Sequence, residues 1–210
     1  MEYTDKELKE ATQIAYLGFI EKSEINLRAD GKKGPFTIKE LIKDVELDDF
    51  DKKIMENLTE EMLNWKIVDI NDTINQNGFY GCVIETSPEN AIVAFRGSEG
   101  FDTYSGLVYD WAQSDFGLLN SKETPQQAET ERYADELVKR KVLDKYKSIA
   151  VTGHSLGGNL ASHFAVVNAY EGTRNSTFEK INQVVNFDGP GVSEEYLKYN
   201  EKAIQKQYLR

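Results

Sequence analysis

One short segment constrains this protein more than any other: a serine flanked by glycines, placed between an apolar strand and a helix. The pattern Gly-x-Ser-x-Gly at residues 153–157 follows the apolar run 149–151 and precedes the helical pattern 156–170. It is typical of a nucleophile elbow, a sharp turn that exposes the serine hydroxyl. Such a turn needs strained backbone angles, and small neighbours let the strand and the helix approach closely. We therefore expect Ser155 to be a strained nucleophile; the alternative is an ordinary turn in which this serine caps the helix.

The pattern along the sequence changes after residue 65. Residues 1–65 have helical spacing interrupted by a turn or loop at 28–36, with Thr4 and Asp5 as candidate N-terminal caps. Beyond them, runs rich in Val, Ile and aromatic residues predict strands, and helical patterns lie between these runs. The predicted strands are 65–70, 78–86, 90–97, 148–155 and 181–191, the last ending in a turn, and the predicted helices are 110–119, 125–142, 156–170 and 193–210.

This alternation favours an α/β fold, with a mostly parallel sheet flanked by helices. No Pro- or Ser-rich linker separates residues 1–65 from the rest. We therefore expect a single domain over residues 1–210, in which a helical N-terminal segment (1–65) packs on a sheet-and-helix core (66–210).

Composition limits the partners, cofactors and compartment that we expect. The net charge of −11 argues against nucleic acid and gives no attraction to anionic lipid. The charged start lacks the apolar run of a secretory signal, and the longest uncharged run, 148–170, is broken by glycines and polar residues. These features predict a cytoplasmic location and do not indicate membrane association. Cys82 is the only cysteine, which excludes an internal disulfide, and one cysteine with two histidines is too few for structural zinc. We expect no metal and no cofactor.

Three segments together resemble one group of enzymes, and a fourth departs from that group and resembles a related family. Residues 153–161, GHSLGGNLA, resemble the elbow of class 3 (fungal-type) lipases, and AFRGS at 94–98 followed by Asp110-Trp111 agrees with their order and spacing. NFDGPG at 186–191 resembles an uncharacterised bacterial lipase-like family. The resemblance covers about residues 78–192. It implies an α/β-hydrolase fold and a serine ester hydrolase.

The resemblance also implies an oxyanion hole. One donor is the backbone N–H of Leu156, the residue after the nucleophile, and the other is Ser98, through its backbone N–H and its hydroxyl. Arg96 and the pair Asp110-Trp111 are interpreted as structural, and the loop 99–106 is a candidate lid.

The base and the acid are harder to assign. In this fold the order along the sequence is serine, acid, histidine, and the only histidine after Ser155 is His163. It follows the serine by about 12 Å along the helix axis, so we interpret it as a packed helix residue. His154 should point away from the hydroxyl. Asp188 ends a predicted strand, where acids of this fold lie, although the resembling lipases place theirs one strand later; its alternative role is in a turn.

We therefore predict a serine acyl hydrolase, esterase or lipase-like, that acts on a small-molecule or lipid ester. The base is expected beyond Arg210, so we expect residues 1–210 to be incomplete at the C-terminal end; the alternatives are a relative without a base and a histidine from another molecule. Because fold does not settle function, a non-catalytic binding domain and an acyltransferase or thioesterase are the alternative functions. The oligomeric state stays open.

Overall fold

The computed structural model describes residues 2–17, 35–43, 46–97, 123–170 and 174–208. Its helices are α1 (Asp5–Ile14), α2 (Ile38–Leu41), α3 (Asp49–Asn57), α4 (Glu60–Leu63), α5 (Ile74–Asn77), α6 (Pro125–Lys139), α7 (Leu156–Asn168), α8 (Asn175–Phe178), α9 (Glu194–Tyr199) and α10 (Glu201–Tyr208). Its strands are β1 (Phe36–Thr37), β2 (Lys66–Thr73), β3 (Phe79–Ser87), β4 (Asn90–Phe95), β5 (Ser148–His154) and β6 (Ile181–Phe187).

Most predicted elements are present within a few residues of their predicted bounds. The predicted strands correspond to β2 through β6, and the two central predicted helices correspond to α6 and α7. The short strand β1 lies in the N-terminal segment, where the sequence predicts helices and a loop but no strand. The predicted helix 110–119 lies outside the described residues. In the described part of the protein, no helix is long and apolar enough to cross a membrane.

The sheet follows the order of the sequence, β1-β2-β3-β4-β5-β6, but its two halves differ in strand direction. β1 to β4 pair antiparallel, and only β4, β5 and β6 are mutually parallel. The expectation of a mostly parallel sheet is therefore wrong, and the sheet is mixed. The reason is the length of the connections. Pro88 and Glu89 alone separate β3 from β4, whereas a parallel pair needs a crossover of about a dozen residues or more.

Apolar side chains form a separate cluster on each face of the sheet. Residues of the N-terminal segment, among them Leu8, Ile14 and Tyr16, belong to the first cluster. Residues of α6 and α7, among them Tyr133 and Leu160, belong to the second. Successive residues of β4 alternate between the two clusters, as the period of a strand requires. The sheet therefore lies between two helical layers, with α1 on one side and α7 on the other.

The N-terminal segment is held against the parallel part of the sheet. α1 begins at a capping box, in which the Thr4 hydroxyl accepts from the Glu7 N–H and the Glu7 carboxylate accepts from the Thr4 N–H. α1 then packs on β4 and β5. Just before it, the Gln183 side chain of β6 accepts from the Tyr3 N–H at 2.9 Å and donates to Tyr3 O at 3.0 Å. The segment therefore covers the strands that end beside Ser155.

We expect Leu8→Ala to destabilise the protein as a whole, because the N-terminal segment and the sheet share one apolar cluster. Leu8 is fully buried, so the substitution should lower the free energy of unfolding by about 2–5 kcal/mol. Urea unfolding, followed by tryptophan fluorescence and by far-UV circular dichroism, should show a single transition shifted to lower urea.

Leu197→Ala is the matched control, because Leu197 is 46% exposed and its removal should change the stability little. Two separate transitions in the Leu8 variant would mean that the N-terminal segment unfolds independently of the sheet.

Candidate active site

Ser155 lies at the turn between β5 and α7, and its backbone is strained. Its φ of 55° and ψ of −130° fall in a region that residues with a side chain rarely adopt, at a cost of about 1–3 kcal/mol. Two backbone hydrogen bonds hold it there. The Ser155 N–H donates to Phe187 O at 2.9 Å, and Ser155 O accepts from the Gly158 N–H at 2.9 Å. The strained turn predicted from the glycine pattern is present.

The Ser155 side chain does not cap α7. The residue occupies the N-cap position, yet its hydroxyl accepts no hydrogen bond from the first turn of the helix. Thr4, Thr124 and Ser193 occupy the same position at α1, α6 and α9, and each of their hydroxyls does accept one. The alternative interpretation, a capping serine, is therefore wrong, and this hydroxyl does not stabilise the helix.

Gly153 and Gly157 allow three backbones to meet beside Ser155. A Cβ at Gly153 would lie 2.1 Å from Gly157 O, and a Cβ at Gly157 would lie 2.3 Å from Phe95 O. Both distances are much shorter than a van der Waals contact, so no side chain fits at either position. The end of β4, the end of β5 and the start of α7 are therefore in direct backbone contact.

The first residue described after Arg96, Gly97, lies beside Ser155. This is expected if the next residue, Ser98, is the second oxyanion donor. A Cβ at Gly97 would lie 3.2 Å from Ser155 Cβ and 2.7 Å from His154 O. The backbone at Gly97 therefore forms one wall beside the serine. Three predictions fall on residues outside the described ranges: the donor Ser98, the candidate lid 99–106 and the pair Asp110-Trp111.

A tyrosine of the N-terminal segment contacts this wall, and no sequence pattern indicated it. The Gly97 N–H donates a hydrogen bond to the Tyr16 hydroxyl at 2.8 Å. The Tyr16 ring is buried, and the guanidinium carbon of Arg96 lies 5.3 Å from its centroid. Burial raises the pKa of Tyr16, so its hydroxyl is protonated at neutral pH. Arg96 thus packs on the N-terminal segment, which fits the structural role predicted for it.

Leu156 is the first residue of α7. The first N–H groups of a helix have no partner within the helix, and the helix dipole places partial positive charge at this end. The Leu156 side chain is buried in the second apolar cluster, which fixes the start of the helix next to Ser155. This end of α7 is therefore suited to a negatively charged oxygen.

Asp188 lies at the end of β6, the strand next to β5, and it also has a positive φ, 54°. Its turn is held on both sides. The Gly189 N–H donates to Asn186 Oδ1 at 2.7 Å, and the Asn159 amide of α7 donates to Pro190 O at 3.2 Å. The Asp188 side chain is exposed. This place at the edge of the sheet is compatible with both roles considered for Asp188, the acid and the turn residue.

His163 is a packed residue of α7, as predicted. Its ring is buried, and its Nδ1 lies 2.6 Å from the Tyr196 hydroxyl of α9. Burial lowers the pKa of His163 to about 4, so the ring is neutral at neutral pH. Because it lies about 12 Å along α7 from Ser155 and is bound to Tyr196, it is not placed to take a proton from the serine.

His154 is the last residue of β5 and is half-buried. Two residues earlier on the same strand, the Thr152 hydroxyl lies 3.3 Å from the Thr12 hydroxyl of α1. The alternation of a strand therefore places His154 on the face that α1 covers. Burial lowers the pKa of His154, whereas the charge of Asp188 raises it.

Neither a metal site nor a reactive cysteine is present in the described part of the protein. Within the described ranges, no group of three or more His, Cys, Asp or Glu side chains is arranged to hold a metal ion. Cys82 is buried in the sheet, and burial raises its pKa to about 12, so its thiol is not a nucleophile at neutral pH.

Comparison with known proteins identifies the family. The sequence pattern of the Mbeg1-like family matches residues 55–209, well over half of the chain. The chain belongs to the Mbeg1-like family. This family is lipase-like, although membership of class 3 is not established by it. No curated protein matches the sequence.

A solved lipase structure has a similar fold. The structure titled "Crystal structure of M37 lipase" matches with a TM-score of 0.54 and 18% sequence identity, over 98% of this chain and 66% of that chain. At this identity the likeness concerns the fold, and it agrees with a mixed α/β sheet flanked by helices. This Mbeg1-like protein thus spans about two thirds of the length of that lipase.

We expect Gly157→Ala to destabilise the protein, because its new Cβ would overlap Phe95 O at 2.3 Å. The atoms that it would meet belong to the backbone of Phe95 and Arg96, which cannot rotate away as a side chain could. The loss of unfolding free energy should therefore reach the upper part of the usual range for overpacking, about 1–3 kcal/mol. Urea unfolding at neutral pH measures it. Gly191→Ala is the control, because a Cβ there meets nothing within 4 Å. Equal stability of the two variants would show that the backbones do not meet at Gly157.

Stability should fall in mild acid because of His163. Its folded pKa of about 4 lies below the unfolded value of about 6.5, so the unfolded state binds the proton first. The stabilisation is complete above about pH 6.5 and is lost as the pH falls toward 4, by about 3 kcal/mol in all. Urea unfolding across this range should show a smaller decline in His163→Asn. An identical decline in the variant would assign the acid sensitivity to other groups.

Proposed function

We propose that this protein is a serine acyl hydrolase of the esterase or lipase type, with Ser155 as the nucleophile. One observation carries the proposal: Ser155 has a strained backbone at a helix N-terminus, and its hydroxyl does not cap that helix. Strain of this kind is retained where the surrounding structure imposes it, and such positions cluster at active sites. Membership of a lipase-like family supports hydrolase chemistry.

The proposed oxyanion hole has one donor on each side of the serine. The Leu156 N–H at the start of α7 is the first donor. For the second, the Arg96 N–H donates to Tyr80 O at 3.1 Å and the Gly97 N–H donates to Tyr16. The next N–H along the sequence belongs to Ser98, which supports assigning the second donor to this residue.

In the proposed reaction, the Ser155 hydroxyl oxygen attacks the ester carbonyl carbon while a base takes the hydroxyl proton. The carbonyl oxygen becomes negatively charged and is stabilised by the two N–H donors. The bond to the alcohol oxygen then breaks, and the alcohol leaves with the proton from the base. Water cleaves the resulting acyl-serine by the same steps and releases the acid. The substrate class is a small-molecule or lipid ester.

The base is proposed to come from outside residues 1–210. The sequence contains two histidines. His163 is bound to Tyr196 in the helical layer, and His154 is placed on the face covered by α1. Asp188 is proposed as the acid, because it follows the strand beside β5. Its alternative role is to close the turn at the end of β6.

A second candidate function is a non-catalytic binding domain on the same fold. The observation in its favour is the place of His163, which is buried and hydrogen-bonded away from Ser155. An acyltransferase or thioesterase would use the same serine, with a different acceptor or a different acyl donor.

The test is hydrolysis of a short nitrophenyl ester by the full-length protein, as its gene encodes it, and by a polypeptide that contains residues 1–210 alone. A good leaving group needs little acid assistance, so this substrate reports nucleophilic attack. We expect Ser155→Ala to lower kcat/KM of the full-length protein by about 10³-fold or more, because removal of a nucleophile leaves only the oxyanion hole and substrate binding. Residues 1–210 alone should show only residual turnover, because their described part holds no histidine that is placed to act as the base.

Ser162→Ala is the matched control, since this serine lies on the same helix and its hydroxyl donates to Gly158 O at 3.1 Å. It should keep full activity. Turnover that is equal with and without the Ser155 hydroxyl, over a broad panel of esters, would favour the binding domain. Rapid Ser155-dependent turnover by residues 1–210 alone would return His154 or His163 to consideration as the base.

A further inference from the structure

Tyr16 lies 81 residues before Gly97 in the sequence, and its hydroxyl accepts a buried hydrogen bond from the Gly97 N–H. We infer that Tyr16 is a positioning residue, which holds the peptide after β4 against Ser155 and so aligns the second oxyanion donor. This inference rests on the ester hydrolysis proposed above. It assigns a role in that reaction to Tyr16, which lies outside residues 55–209 matched by the family.

Gly97 lies between the tyrosine and the serine. From the position of a Cβ at Gly97, the Tyr16 hydroxyl is 2.7 Å away and the Ser155 Cβ is 3.2 Å away. The phenol therefore contacts the same peptide that forms one wall beside the nucleophile. A change in the orientation of this peptide would move the N–H of Ser98, the next residue along the sequence, relative to the carbonyl that Ser155 attacks.

The phenol is itself held firmly. The Tyr16 N–H donates to Gln13 O at 2.9 Å, and the ring is only 4% exposed. On one face of the ring, the guanidinium of Arg96 lies 5.3 Å from the centroid, which is within the range of a cation–π interaction. α1, which precedes Tyr16, packs on β4 and β5, the two strands that end beside Ser155. The acceptor for the Gly97 N–H is thus fixed to the same framework as the nucleophile.

The hydrogen bond between Gly97 and Tyr16 should affect the rate of the chemical step rather than the affinity for the substrate. An oxyanion hole works because its donors are already aligned when charge develops, and loss of a single donor lowers kcat by about 10²–10³-fold. A displaced donor is a smaller defect than a missing one. Loss of the Tyr16 hydroxyl should therefore lower kcat by about 10–10²-fold and leave KM almost unchanged, because the ground-state ester carries no full charge for this donor to stabilise.

The test compares Tyr16→Phe with Tyr3→Phe in the full-length protein. Tyr3 is the matched control: it is also buried in the N-terminal segment, and its hydroxyl is hydrogen-bonded to the Thr86 hydroxyl at 2.6 Å, away from Ser155. Phenylalanine keeps the ring that packs on Arg96. Hydrolysis of nitrophenyl butyrate, with Ser155→Ala as the background, should show the loss of kcat in the Tyr16 variant alone.

The pH profile separates positioning from proton transfer. A positioning role predicts that kcat of Tyr16→Phe falls equally at every pH, with the profile unchanged in shape. An amide-exchange measurement by NMR gives an independent readout: the Gly97 N–H should be protected in the wild-type protein and should exchange faster in Tyr16→Phe. A Gly97 amide that exchanges rapidly in the wild-type protein would overturn the inference without any activity measurement.

The outcomes distinguish this inference from the proposed function. If the wild-type protein shows Ser155-dependent hydrolysis and Tyr16→Phe keeps its full kcat, the positioning role is wrong and the hydrolase proposal stands. If both phenylalanine variants lose kcat equally, Tyr16 contributes only to stability and the inference is overturned. If the wild-type protein shows no Ser155-dependent hydrolysis, the proposed function fails and the positioning role fails with it.

Discussion

The contact between backbones at Gly157 is the constraint on which the candidate site depends. Because a Cβ there would lie 2.3 Å from Phe95 O, the start of α7 and the end of β4 are closer than any pair of side chains would permit. This contact places the helix N-terminus beside the strand end and forces the backbone to turn sharply between β5 and α7. The positive φ of Ser155 is a consequence of that turn. The strain is therefore local, whereas the packing that maintains it involves three elements.

A second layer of support comes from the beginning of the sequence. α1 lies across β4 and β5, and Tyr16 connects it to Gly97. Ser155 thus lies between two helical layers that differ in origin: α7 follows it directly, whereas α1 precedes it by more than a hundred residues. Each layer contributes a fixed polar group near the serine, the helix N-terminus on one side and the phenol on the other.

Local patterns predicted much of this structure, and the failures have definite causes. Runs of Val, Ile and aromatic residues located β2 to β6, and the glycines located the strained turn at Ser155, because both signals depend on a few neighbouring residues. The rise per residue of an α-helix places His163 about 12 Å from Ser155 along the axis, and this distance sufficed to interpret His163 as a packed residue. The predicted strand direction was wrong for β1 to β4. The sequence contained the signal that was overlooked, because the two residues Pro88 and Glu89 between β3 and β4 are too few for a parallel crossover. Tyr16 was missed because nothing near it in sequence reports a partner 81 residues away.

The strand order has a further consequence, for how the protein acquires its structure. Each strand pairs with the strand that precedes it in sequence. Every new strand made by the ribosome therefore meets a sheet edge that already exists, and the entropy cost of loop closure stays small. The strained turn is an exception to this step-by-step order, because the Ser155 N–H bonds to Phe187 O of β6, a strand that is made after the turn. The geometry of the serine is therefore set only after β6 has been made, and nascent polypeptides interrupted before β6 contain the sequence of the turn without the bond that holds its shape.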